Sequence, residues 1–172
     1  FGEEGSASPG SIDNKTLGDP DFEVVATTSA VGLSPVLSVQ SGPAVIAEQS
    51  GGSAIVRLTG AGAVILSANQ PGDTQFAAAP EVSRTFDVAK GSQTITFSAP
   101  ATAGEADPPI TLSGSAEPSG LPVTFTVVSG PGTISNGDQL TFTGSGVVQI
   151  EATQSGDADY QPAVSVIRSI TV

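Results

Sequence analysis

Alternating apolar and polar positions dominate the chain and predict strands almost throughout. Val147 to Gln154 is the clearest case: Val148, Ile150 and Ala152 share one side, and Gln149, Glu151 and Thr153 the other. A period of two is the signature of a half-buried strand. Gln93 to Phe97 alternates in the same way, and so does Ala163 to Val172, with Val164, Val166, Ile170 and Val172 in phase. Between them lie Ile110 to Ala116, Leu121 to Val128, Thr133 to Ser135 and Asp138 to Thr143. The last two flank Asn136-Gly137, a dipeptide that suits the positive φ angles of a type I′ hairpin turn. The first half supplies a parallel set: Phe22 to Thr27, Leu33 to Gln40, Ala44 to Glu48, Ser53 to Thr59, Ala63 to Gln70 and Glu81 to Val88. No segment sustains the i, i+3, i+4 spacing of an amphipathic helix, and 13 prolines and 21 glycines interrupt the chain.

The two sets are one domain written twice. Gly32-Leu33, Ser41-Gly42-Pro43 and Ile46 return 88 residues on as Gly120-Leu121, Ser129-Gly130-Pro131 and Ile134. Gly60, Gly62, Gln70, Gly72-Asp73, Phe76, Arg84 and Val88 return 84 residues on as Gly144, Gly146, Gln154, Gly156-Asp157, Tyr160, Arg168 and Val172. The change of offset is a loop: Ala47 to Gly60 is four residues longer than Ser135 to Gly144. About seven short strands per copy, with turn signals every 8–12 residues or so, predict all-β architecture: two tandem immunoglobulin-like antiparallel β-sandwiches, residues 1–89 and 90–172. The short junction Asp87 to Ser92 predicts an end-to-end arrangement.

Phe1 aligned with Phe97 leaves the first copy without a counterpart of Gln93 to Thr96. On this alignment its first strand is truncated, Gly2 to Ser11 is an inserted flexible loop, and the neighbouring strand keeps an open edge. A start at Phe1 rather than methionine reads as an excised or processed piece of a longer protein.

Composition narrows the function. The formal charge of −12 comes from 17 acids against Lys15, Arg57, Arg84, Lys90 and Arg168, which argues against nucleic-acid and anionic-membrane partners. No run approaches the ~20 apolar residues that span a bilayer. With no cysteine, packing or a metal must hold the fold. The absence of histidine and cysteine removes Ser-His-Asp, Cys-His and histidine-metal chemistry, so no catalytic residue is assigned. Gly60-Ala61-Gly62 and Gly144-Ser145-Gly146 precede strands, so neither offers a helix N-terminus to a phosphate. With one tyrosine and no tryptophan, a sugar-stacking platform is poorly supplied.

The sharpest repeated motif is Gly72-Asp73-Thr74-Gln75-Phe76 against Gly156-Asp157-Ala158-Asp159-Tyr160. Its structural reading is a turn: glycine takes an unusual angle, aspartate binds nearby backbone N–H groups, and the aromatic plugs the end of the sandwich. Its functional reading is calcium held by Asp73, or by Asp157 and Asp159, and the structural one is preferred because Gln75 replaces Asp159. Asp19, Asp21 and Glu23, echoed by Glu105 and Asp107, alternate so that one strand face would carry three ligands for calcium; a solvated acidic edge is the plainer account. Arg84 and Arg168 share the parity of apolar neighbours, which places them at a sandwich rim or beside a carboxylate. No cofactor is otherwise expected.

As a set, Lys90-Gly-Ser-Gln-Thr-Ile-Thr-Phe97, Ser119-Gly-Leu-Pro-Val123, Gly144-Ser-Gly-Val147, Ala152-Thr-Gln-Ser-Gly-Asp157, Tyr160 and Arg168-Ser-Ile-Thr-Val172 resemble the bacterial Ig-like repeats of the MBG type. The first copy matches through Asp13 to Phe22, Gly60 to Gly62, Gln70 to Asp73 and Arg84 to Val88, and departs at Ser34-Pro35. The resemblance implies spacer modules in long extracellular or cell-surface, adhesin-like proteins, and it transfers no catalytic or ligand residue. The partners it implies are neighbouring repeats of the same chain. Three alternatives stand beside the spacer: a module binding a host or matrix glycan or protein, a filament subunit assembled by strand donation, and an accessory domain of a secreted hydrolase.

Overall fold

The computed structural model of the chain describes residues 7–9 and 11–172. It is all-β, with no helix among the described residues and therefore none long and apolar enough to cross a membrane. The chain divides into two compact units, the first running to Gly91 and the second comprising Ser92–Val172.

In the first unit the strands are β1 (Ala7–Pro9), β2 (Lys15–Thr16), β3 (Phe22–Thr28), β4 (Val36–Ser41), β5 (Ala44–Ser50), β6 (Ser53–Leu58), β7 (Gly62–Gln70) and β8 (Ala79–Ala89). One sheet has the order β1-β3-β6-β5 and the other β2-β8-β7-β4. All pairs are antiparallel except β2 on β8. This is the four-plus-three arrangement of a constant-type immunoglobulin sandwich, with its first strand split between the sheets as β1 and β2.

The second unit repeats it with β9 (Thr94–Ser98), β10 (Ile110–Thr111), β11 (Ser113–Glu117), β12 (Thr124–Ser129), β13 (Gly132–Ser135), β14 (Gln139–Phe142), β15 (Val147–Thr153) and β16 (Val166–Thr171). Here β9 pairs with β11, β10 with β14 and β14 with β13, while β12, β15 and β16 form the facing sheet. Thr102 bridges Thr171 in parallel, the place β2 holds in the first unit. The Asn136-Gly137 hairpin forms as expected: φ is 53° and 85°, and Asp138 N donates to Ser135 O at 3.3 Å.

The repeated residues are those the fold needs. Val64, Leu66 and Ala68 of β7 return as Val148, Ile150 and Ala152 of β15, and all six are fully buried. Fully burying each of the larger ones is worth about 1.5–3 kcal/mol. Both copies bulge at one place, between Val39 and Ser41 and between Val127 and Ser129. The glycine after each bulge lies against the facing strand: a Cβ on Gly42 would stand 2.2 Å from Ala63 O, and on Gly130 2.0 Å from Val147 O. No other residue fits there.

The first strand corrects the sequence-based expectation. Ala7 and Pro9 pair with Thr28 and Ala26 of β3, as Ile95 and Phe97 pair with Ala116 and Gly114 of β11. Every one of these positions lies 88 residues from its counterpart, so Pro9, not Phe1, stands in register with Phe97. The strand is present over Ala7–Pro9 and the ten-residue insertion disappears. Phe1 and the stretch 2–6, with Gly10, lie outside the described residues. β4 also starts at Val36 rather than Leu33, because Gly32 takes φ 83° and Pro35 supplies no N–H to a ladder.

Candidate functional site

The Gly-Asp loops are built identically in both units. Asp73 Oδ1 accepts from the backbone N–H of Gln75 at 2.7 Å and of Phe76 at 2.8 Å, and Asp73 N donates to Phe76 O at 2.9 Å. Asp157 Oδ1 accepts from Asp159 N and Tyr160 N, both at 2.8 Å, and Asp157 N donates to Tyr160 O at 3.1 Å. The carboxylate thus satisfies amides that a sharp turn would otherwise strand. Gly72 (φ 76°) and Gly156 (φ 73°) open the two loops, and a Cβ there would meet the carbonyl of Phe76 at 2.5 Å or of Tyr160 at 2.4 Å. Phe76 and Tyr160 are half-buried. Phe76 is not among the residues packed on the first core.

The alternating acids do not share a strand face. β3 begins at Phe22, so only Glu23 of the three lies in it. Asp19 closes a turn, its Oδ2 accepting from Thr16 N at 2.8 Å, and Asp107 does the same for Gly104 N at 2.7 Å. Thr16, not Gly18, is therefore the counterpart of Gly104. Asp21 forms a two-pronged ion pair with Arg57, Nη2 to Oδ2 at 2.8 Å and Nε to Oδ2 at 3.0 Å. The hydrogen bonds that Arg57 donates to Asp21, and then the Asp21 charge, raise the Arg57 pKa. Glu23 accepts from Ser53 Oγ. Among the described residues no three acids gather as a metal-binding group.

Arg168 bridges strands of opposite sheets: its Nε on β16 donates to Phe97 O of β9 at 3.1 Å. Its Nη1 donates to Ile167 O at 3.2 Å, and Arg84 Nη1 donates in the same way to Ser83 O at 3.0 Å. Lys15 Nζ sits 4.7 Å over the ring of Phe22, beside an open groove of about 370 Å³ that Ser11, Ile12, Glu23 and Val25 also line.

Sequence reasoning missed the most elaborate polar arrangement. Gln93 (6% exposed) and Gln154 (8%) are buried together. Gln93 Nε2 donates to Gln154 Oε1 and, at 2.8 Å, to Gln161 O; Gln93 Oε1 accepts from Ser119 Oγ. Gln154 Oε1 also accepts from Gly156 N at 2.6 Å, which ties this cluster to the Asp157 loop. Gln70, the counterpart of Gln154, is 1% exposed, yet its Oε1 has no hydrogen-bond partner. The signal was available: Gln70 and Gln154 continue the inward parity of Leu66-Ala68 and Ile150-Ala152, where polar side chains need partners.

No protein-family model and no curated protein matches the chain. Among solved structures it is similar to the D00-D0 domain of intimin, with 17% identity over 95% of this chain and 98% of that one, at a TM-score of 0.39. Fibronectin(III)-like modules of Clostridium thermocellum CbhA match at 14% identity over 96% and 93%, TM-score 0.34. Tandem Ig repeats of Dlar match at 11% identity over 98% of each chain, TM-score 0.30. At this level of similarity none of them assigns a function.

Proposed function

We propose that the chain is a non-enzymatic structural segment of an extracellular or cell-surface protein, a pair of Ig-like modules that separates neighbouring domains of the same polypeptide. One observation carries the reading: the aspartates kept in both copies are spent on the fold itself. Asp73 and Asp157 each hold two loop amides, and Asp19 and Asp107 each close a turn. Duplication that retains such residues multiplies length and surface rather than a reaction. The strongly acidic composition opposes sticking to like-charged surfaces and neighbours. The sequence resemblance to bacterial MBG-type repeats supports the same reading, and its neighbouring repeats are the expected partners.

The test is an array of glycans and matrix proteins probed with the isolated chain, with and without calcium. A spacer gives no saturable binding on any spot. Saturable binding to one glycan or protein class would replace the spacer with a recognition module.

A further inference from the structure

The two units treat the same sheet edge differently. β4 is the outer strand of its sheet, and β12 holds that place in the second unit. Leu37 of β4 lies opposite Ala68 of β7, as Phe125 of β12 lies opposite Ala152 of β15. On its free side Leu37 is covered. Gln49 of β5 turns its side-chain amide onto the Leu37 backbone, accepting from Leu37 N at 2.7 Å and donating to Leu37 O at 3.1 Å. The amide therefore stands where the backbone of a further strand would pair, and the edge is closed. Gln49 has no counterpart in the second unit. The β5–β6 rung Glu48–Ile55 matches the β13–β14 rung Ser135–Gln139, but β5–β6 continues through Gln49–Ala54 and Ser50–Ser53. β13 turns back instead at Asn136-Gly137. Among the described residues no side chain takes the place of Gln49 at the Phe125 backbone.

Three other edges of the second unit are blunted. On β9, Phe97 O accepts from Arg168 Nε and Thr94 bridges Val164. On β16, Thr171 N donates to Ala101 O at 2.9 Å and Thr171 O accepts from Ala103 N at 3.0 Å. β13 is only four residues long. β12 has none of these devices. Its sequence, Thr124-Phe125-Thr126-Val127-Val128-Ser129, is β-branched and aromatic and contains no proline. It also lies within an uncharged run from Pro118 to Gly137, in a chain of net charge −12. Two like-charged copies meet least repulsion along such a run, and an antiparallel strand edge is complementary to itself.

We propose that β12 is a self-association edge, along which two copies of the chain pair antiparallel, β12 to β12. Phe125 exchanges both of its outward backbone hydrogen bonds with the partner's Phe125, and exposed Thr124 faces the partner's Thr126. Gln49 forbids the same pairing in the first unit, so each copy offers one such edge and assembly stops at the dimer. The proposal goes beyond the spacer reading and does not depend on it, because paired and unpaired stalks would both leave a glycan array silent.

The test is sedimentation equilibrium of the full 172-residue chain from roughly 1 μM to 1 mM. A reversible monomer–dimer equilibrium is expected. Thr124→Lys with Thr126→Lys changes only exposed positions and sets lysine against lysine across the pair. It should weaken the dimer about tenfold or more, whereas Thr124→Val with Thr126→Val should leave it as tight or tighter. Urea midpoints of both double variants, read beside the wild-type chain, separate a lost contact from a lost fold. Gln49→Ala uncovers β4 and should carry assembly past the dimer. A chain that stays monomeric throughout overturns the proposal and leaves the edge to a different polypeptide. A dimer indifferent to the two lysines overturns it as well, and so does a Gln49→Ala chain that still stops at the dimer.

Discussion

Gln154 and Gln70 occupy the same position in two copies of one sandwich, and only the first is satisfied. Around Gln154 a second glutamine, a serine hydroxyl and the Gly156 amide complete a closed set of hydrogen bonds. Around Gln70 the strand, loop and neighbouring glycine are retained, but among the described residues no donor reaches its Oε1. The backbone tolerates the loss because the fold is specified elsewhere, by the paired apolar faces of β7 and β15 and by the Gly-Asp loops. Polar networks of this kind are separable from the fold, so one copy can lose its set while keeping its topology. The two units thus share an architecture and differ in how firmly one end is sealed.

Substitutions in matched pairs can break or sharpen that contrast. The largest effects fall where the copies agree. Leu66→Ala and Ile150→Ala empty the same fully buried place, and each should cost about 2–5 kcal/mol in urea unfolding. A large inequality between them would mean that the cores are not equivalent. Next come Gly72→Ala and Gly156→Ala, which force a Cβ against a backbone carbonyl at positive φ. A loss of about 1–3 kcal/mol is expected from each, read from the shift of the thermal midpoint.

Asp73→Ala and Asp157→Ala each strand two loop amides, and about 1 kcal/mol should be lost in both units. Calcium should not restore either variant, since the carboxylate already serves the loop; a calcium-dependent rise in the wild-type melting temperature that vanishes in Asp157→Ala would contradict that role. The smallest effect belongs to Arg57→Ala. The pair with Asp21 is solvent-exposed on both sides, 59% and 36%, so the unfolding midpoint should stay unchanged within error at high salt.

The sequence revealed what periodicity and turn chemistry encode. β9, β14 and β15 alternate cleanly and appear within a residue or two of their expected bounds, and Asn136-Gly137 makes its hairpin. β1 was illegible because Ala7-Ser8-Pro9 carries no large apolar residue; it is a strand only because β3 offers an edge to pair with. Asp19, Asp21 and Glu23 alternated without forming a strand, since a turn closed by Asp19 and followed by Pro20 delays β3 until Phe22. The buried glutamines escaped notice for a different reason. The inward parity of Gln70 and Gln154 marked them for burial, but Gln93 and Gln154 are separated by most of the second unit and meet only after the sandwich closes, so no local pattern or spacing names the partner.

The most direct test of the contrast is the urea unfolding midpoint of Gln154→Leu against Gln70→Leu, each measured beside the wild-type chain. Leucine removes a satisfied acceptor in the first case and an orphaned one in the second. Gln154→Leu should lose about 1–3 kcal/mol, while Gln70→Leu should be neutral or gain up to about 1 kcal/mol. Equal destabilisation by the two substitutions would show that Gln70 is satisfied in solution and that the two ends are sealed alike.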